Sequence, residues 1–307
     1  MIYDNVLQAI GQTPVIRLNR LTGPEEAEVL VKFEAVNIGG SIKTRTAWHM
    51  LEQAEKQGLI GPDSIIVEPT SGNQGVGIAL VGAVRGYRVI IVMPDSVSEE
   101  RRKLVQQYGA EVRLVEDKGD IGECIANCLA TAEALAAADP KVYIPQQFIN
   151  PNNPEVHRRQ TAREILEQVD KPIHGFCAGI GTGGTITGVG EVLKERYPDI
   201  LIWAVEPENA AILSGGIIGS HLQMGIGDGL IPENLNTAIY SDVAVITDGE
   251  ALATARALAR QEGLLAGISS GTNVAAALKM AKMLGPGKTV LTILADTGER
   301  YFSTPLF

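Results

Sequence analysis

Short apolar runs and longer helical patterns take turns along almost the whole chain, and that alternation limits the fold more than any other feature. Apolar runs occur at 28–34, 64–68, 87–93, 111–115, 142–145, 174–178, 201–206, 243–246 and 290–294. Helical patterns fill the intervals at 43–57, up to 85 from a turn at 69–75, and at 98–108, 121–137, 155–169, 185–196, 248–263 and 269–284. A short helix near Asn5, the turn Gly11-Gln12-Thr13-Pro14 and a strand at 15–18 come first. Such β and α units predict parallel sheets with helices on both faces. The 307 residues suffice for two lobes. The expected fold is α/β: two doubly wound lobes with mainly parallel sheets and a site in the cleft between them.

Composition narrows the partners. The formal net charge of -10 argues against nucleic acid and anionic membrane as targets. Hydrophobic residues at 45% and charged residues at 20% fit a globular chain and argue against disorder. No apolar run reaches transmembrane length, and Met1-Ile2-Tyr3-Asp4-Asn5 has no basic, signal-like start. The three cysteines, Cys124, Cys128 and Cys177, read as reduced thiols of a cytoplasmic protein. Cys124 and Cys128 stand i,i+4, half a metal site, but no histidine or further cysteine lies near them, so they read as packing residues. The four histidines form no ligand pattern, and no metal is expected.

Chemistry is concentrated in turns between the elements. Asn37-Ile38-Gly39-Gly40-Ser41-Ile42-Lys43 follows a strand and opens a helix. Two glycines allow a tight turn, and a lysine at a helix mouth can act as an amine nucleophile or base. Thr70-Ser71-Gly72-Asn73-Gln74-Gly75 offers hydroxyls, amides and N–H groups to a carboxylate. A plain N-cap is the structural alternative. Gly179-Ile180-Gly181-Thr182-Gly183-Gly184-Thr185 is a second anion nest. It also matches the dinucleotide fingerprint, with Glu206 at the right distance for a ribose, so a nicotinamide oxidoreductase is a rival reading. That rival leaves Lys43 and the Thr70–Gly75 turn without a role. A Walker loop is not matched, because Ile42 precedes Lys43. Gly267-Ile268-Ser269-Ser270-Gly271-Thr272 opens a further helix and alone reads as a cap.

In order along the chain stand Asn-x-Gly-Gly-Ser-x-Lys, Pro-Thr-Ser-Gly-Asn, Gln146-Gln147-Phe148 before Asn150-Pro151-Asn152-Asn153-Pro154, Gly-Thr-Gly-Gly-Thr, Gly-Ile-Ser-Ser-Gly and Gly298-Glu299-Arg300-Tyr301-Phe302-Ser303-Thr304. Together they resemble the cysteine synthases (O-acetylserine sulfhydrylases) of the fold-type II pyridoxal phosphate enzymes, along essentially the full length. Cystathionine β-synthase cores share most of these motifs. The resemblance implies that Lys43 holds pyridoxal phosphate as a Schiff base and then acts as the base at Cα. Gly181, Thr182, Gly183, Gly184 and Thr185 would cradle the phosphate, Asn73 would bond the ring hydroxyl, and Ser269 would meet the pyridine nitrogen. Thr70, Ser71, Gly72, Asn73, Gln74 and Gln147 would hold the substrate carboxylate and close the site over it. A neutral serine at the ring nitrogen makes a weaker electron sink than a carboxylate would. The implied reaction is β-elimination to an aminoacrylate followed by addition of sulfide, giving L-cysteine from O-acetyl-L-serine.

The resemblance also implies a larger cofactor-phosphate domain, 1–38 with 149–307, and a smaller mobile domain, 39–148. It implies a homodimer, a possible docking site for a serine acetyltransferase C-terminus, and no regulatory domain after Phe307. The chain departs from many relatives at Ile38 (Pro), Thr44 (Asp), Gln74 (Thr) and Asp228 (a small residue). Asp228, in Met224-Gly225-Ile226-Gly227-Asp228-Gly229, is most simply a turn residue. As a catalytic carboxyl it would protonate a departing hydroxide or orient water, making the enzyme a serine- or cysteine-using one: cystathionine β-synthase-like, or a hydrogen sulfide-releasing lyase that forms serine. A catalytically dead homologue is the non-enzyme reading, which the presence of Lys43 disfavours.

Overall fold

The computed structural model describes residues 2–119, 121–216 and 218–307. Met1 of the expected N-terminal stretch and Ile217 of the glycine-rich 214–230 segment lie outside them. In chain order the elements are β1 (Val15–Arg17), β2 (Glu28–Phe33), α1 (Lys43–Lys56), β3 (Ile65–Pro69), α2 (Asn73–Arg85), β4 (Arg88–Pro94), α3 (Glu99–Gln107), β5 (Glu111–Val115) and α4 (Ile121–Ala138). There follow β6 (Val142–Tyr143), α5 (Asn152–Val156), α6 (Ala162–Gln168), β7 (Gly175–Gly179), α7 (Gly184–Arg196) and β8 (Leu201–Pro207). The last are β9 (Asp242–Ile246), α8 (Asp248–Ala257), α9 (Ile268–Leu284) and β10 (Thr289–Leu294).

Two compact units result: Met1–Ile10 with Lys43–Asn153, and Gly11–Ile42 with Pro154–Phe307. Met1–Ile10 group with the unit that carries Lys43, whereas the sequence reading put 1–38 with the other; Leu7 is buried and the turn Val6–Ala9 packs on α2. The first unit has a four-stranded sheet in the order β5-β4-β3-β6, every pairing parallel. The second has a six-stranded sheet, β1-β2-β10-β7-β8-β9, parallel except for β1 against β2.

The period of two along these strands explains the layering. Val29, Val31, Cys177, Val205, Val290 and Leu294 pack with Val274, Ala277 and Met280 of α9. Their neighbours Leu30, Phe176, Ala178, Ile202, Leu291 and Ile293 pack with Ile165 of α6 and Ile186 and Val189 of α7. Both sheet faces are therefore buried, as parallel sheets require. The Cys177 thiol, within this core, is pushed up to about 12 by burial. Two expected helices are interrupted by π-helical turns, His157–Thr161 and Leu258–Glu262. In the first, His157 Nδ1 lies 3.0 Å from Thr161 Oγ1.

One charged group sits in the middle of the apolar β2. The Lys32 ammonium is fully buried, 2.7 Å from Glu164 Oε2, and donates to Gln168 Oε1 at 2.9 Å and to the Thr13 carbonyl at 2.5 Å. Breaking such a pair leaves a buried carboxylate without its cation, at a cost of about 3–5 kcal/mol. Lys32→Met should therefore lower the thermal midpoint sharply, and Lys32→Met with Glu164→Leu should recover most of it. A double variant as unstable as the single one would mean that shape, not charge, governs this site.

Candidate active site

Lys43 is the first residue of α1. The segment before it belongs to the other unit and is tied down there. Ile42 N donates to Ala295 O at 2.9 Å, Thr297 N donates to Gly40 O at 3.1 Å, and the Arg300 guanidinium donates to the Gly39 carbonyl. Gly39 and Gly40 take φ of 77° and 70°, a left-handed turn that favours glycine. On α2 a Cβ at Gly77 would lie 2.8 Å from Ala47 Cβ and 3.1 Å from the Lys43 carbonyl. That close approach brings the Thr70–Gly75 turn beside the start of α1.

The turn is not a well-made N-cap. The N-cap of α2 is Gly72, with no side-chain hydrogen bond to the free N–H groups. Thr70 Oγ1 accepts only from Gly72 N, at 3.2 Å, and the Ser71 carbonyl accepts from Arg101 at 3.2 Å. Gln74 turns toward α1: the Thr46 hydroxyl lies 2.8 Å from its Oε1 and 2.8 Å from the Lys43 carbonyl. Gln74 Nε2 is buried with no hydrogen-bond partner among the described residues, as is Thr44 Oγ1.

Sequence reasoning missed Glu68. It stands next to last in the buried strand β3 and is only 1% exposed. Its Oε1 accepts from Gln147 N at 3.4 Å, and Asn153 Nδ2 donates to the Gln147 carbonyl at 2.8 Å. Burial pushes the Glu68 carboxyl up to about 8, against the opposing pull of the Gln147 and Gln146 N–H groups and the Lys43 charge. The available signal was a lone carboxylate closing the apolar run Ile65-Ile66-Val67.

The other unit carries the glycine-rich loop 179–185. Gly183 is the N-cap of α7, at φ 75°, and as a glycine it offers that helix no capping side chain. A Cβ at Gly181 would fall 2.4 Å from the Gly225 carbonyl and 3.8 Å from Asp228 Oδ2, which sets Asp228 beside this loop. Asn273, also missed, joins the loop to α9: its Oδ1 accepts from Gly179 N at 2.7 Å and its Nδ2 donates to Ile293 O at 2.8 Å. Ser269, one turn earlier on α9, is buried, and that helix too starts on an uncapped glycine, Gly267. Thr185 Oγ1 lies 3.5 Å from His157 Nε2. By contrast α8, which carries none of the motifs, has a full Thr247/Glu250 capping box. Glu206 is spent internally, accepting from Leu213 N, Ser214 N and Ser214 Oγ at 2.8, 3.0 and 2.6 Å. It is not available to a ribose, which removes the main support of the nicotinamide reading.

Residues 6–296 match the family described as pyridoxal-phosphate dependent enzymes. The cysteine synthase of Staphylococcus aureus (strain N315) is 48% identical over 305 residues, 99% of this chain and 97% of that protein. The chain belongs to the cysteine synthase family of pyridoxal-phosphate dependent enzymes. Among solved structures, O-ureido-L-serine synthase is 41% identical with a TM-score of 0.94, covering 100% of this chain and 96% of that one. A hydrogen sulfide-producing enzyme from Fusobacterium nucleatum is 39% identical with a TM-score of 0.92, covering 98% and 100%.

The residues of this family member suit that cofactor. The uncapped start of α7 presents free N–H groups and the positive end of a helix dipole to a phosphate. The glycines of the loop are explained by close backbone packing, so the uncapped helix, not the glycine count, carries the fit.

Proposed function

We propose that this protein makes L-cysteine from O-acetyl-L-serine and sulfide. The observation that carries the reading is Lys43 at the head of α1, beside an uncapped, hydrogen-bonding turn in the same unit. Pyridoxal phosphate, when bound, supplies the electron sink that lets the Cα proton and then the β-substituent leave. Gly181–Thr185 would hold its phosphate, Asn73 its ring hydroxyl and Ser269 its ring nitrogen. Lys43 would anchor the cofactor, take the Cα proton and return it after the new bond forms. Thr70, Ser71, Gly72, Asn73, Gln74 and Gln147 would hold the substrate carboxylate. The Cβ–O bond breaks with its electron pair leaving on acetate, and the sulfide sulfur supplies the pair for the new C–S bond. The test is to supply the holoprotein with O-acetyl-L-serine and sulfide and to measure L-cysteine and acetate. Absence of both products would overturn the reading.

Asp228 favours a second donor class. Its carboxyl lies beside the Gly181 loop: protonated, it would give a proton to departing hydroxide, a poor leaving group, and ionised, it would take a proton from water adding after hydrosulfide has left cysteine, whereas acetate needs no such help. On this reading serine or cysteine also serves as β-donor. Asp228→Asn should then slow turnover of serine and cysteine by about 10²-fold, the lower end of general acid catalysis, and leave O-acetylserine nearly untouched. Equal effects on all three donors would remove Asp228 from the chemistry. The family reading further proposes a cytoplasmic homodimer that binds a serine acetyltransferase C-terminus, testable by sedimentation with and without the acetyltransferase.

A further inference from the structure

Gln147 is held through its backbone. Its carbonyl accepts from Asn153 Nδ2 at 2.8 Å and its N–H faces Glu68 Oε1 at 3.4 Å. The preceding residue, Gln146, stands at φ 57°, a left-handed conformation unusual for a residue with a side chain. The Gln146 carbonyl accepts from Ile149 N at 3.1 Å and Asn150 N at 3.0 Å, and Asn150 Nδ2 donates to Pro145 O at 2.8 Å. These bonds fix the far side of the loop. On the near side, toward β3, the acceptor facing Gln147 N–H is the Glu68 carboxyl, whose second oxygen has no hydrogen-bond partner among the described residues.

A carboxyl in this place is costly unless its charge is used. Gln147 is also buried, and its side-chain direction follows from the backbone torsions that Glu68 helps to set. We propose that Glu68 is a positioning residue for the substrate site: ionised, it clamps the Gln146–Gln147 backbone and aims the Gln147 amide at the substrate carboxylate, and neutral, it loosens that aim. This rests on the reading that Gln147 binds the substrate carboxylate.

The groups that bear electrostatically on Glu68 are Lys43 of α1 and Tyr143 of β6. Its neighbour across the sheet is the apolar Ile91 of β4. The positive Lys43 favours the ionised form, whereas burial favours the neutral one. With the carboxyl titrating at about 8, both states are populated near neutral pH.

The experiment uses holoprotein labelled with ¹⁵N-glutamine, taken from pH 6 to 9.5. The Gln147 amide resonance of the wild type should move through one titration, and that titration should vanish in Glu68→Gln. In parallel, the KM for O-acetyl-L-serine should fall roughly tenfold as the wild type passes upward through the same midpoint. In Glu68→Gln that KM should be flat and raised, with the KM for sulfide and the cofactor absorbance unchanged. A Gln147 amide that does not titrate, or a KM profile identical in the two proteins, overturns the proposal. The amide titration, with its loss in Glu68→Gln, needs no turnover. If it is seen while O-acetylserine is not a substrate, the clamp stands and the proposed function fails.

Discussion

Lys43→Ala should yield a colourless protein that turns over O-acetyl-L-serine at least about a thousandfold more slowly than the wild type. A displaced general base alone accounts for roughly 10²–10⁴-fold, and the covalent anchor for the cofactor is lost with it. Folding should survive, because alanine is the strongest helix former and position 43 opens α1. The Lys43 carbonyl, which lies 2.8 Å from the Thr46 hydroxyl, is unaffected by the change. Visible absorbance after incubation with pyridoxal phosphate, followed by a single-turnover assay, checks both halves. A variant that remains yellow and active would place the amine elsewhere in the chain.

The wild type should lose stability relative to Glu68→Gln as pH rises from 5 to 9. Glu68 holds its proton up to about 8 in the folded protein and only to the ordinary 4.5 when unfolded. Between those values the folded state binds the extra proton, so stability falls with rising pH. At about 1.4 kcal/mol for each pH unit, the difference approaches about 5 kcal/mol by pH 8. Groups common to both proteins cancel in the comparison, which isolates this carboxyl. Thermal midpoints measured at half-unit steps give the answer, and parallel curves would show that Glu68 titrates normally.

Most of this was legible because the local signals agreed. The strands at 28–33, 65–69, 88–94 and 289–294 lie within two residues of their expected ends, since each is a mainly apolar run between turn residues. The π-helical turns at His157 and Leu258 were not legible, because they arise from tertiary contacts such as the close approach of Gly188 on α7 to the Pro154 carbonyl. In the site, motif glycines and hydroxyls stood out as types. Glu68 and Asn273 did not, because single polar residues inside apolar elements carry no spacing of their own. Gln74 shows the same limit from the other side: its motif position is visible in sequence, but its hydrogen bond to Thr46 depends on how α2 crosses α1.

The last strand made lies in the middle of its sheet. β10, at Thr289–Leu294, is hydrogen-bonded to β2 over six residue pairs on one side and to β7 on the other. The chain must therefore be made as far as β10 before β2, already paired with β1, can find its second neighbour. The four strands of the other sheet, all between residues 65 and 143, are complete at less than half that length. Nascent chains should thus mature in two stages, with β2 and β7 each exposing an unsatisfied edge until β10 arrives. Synthesis of β10, rather than any slow rearrangement, sets the earliest moment at which the six-stranded sheet can exist.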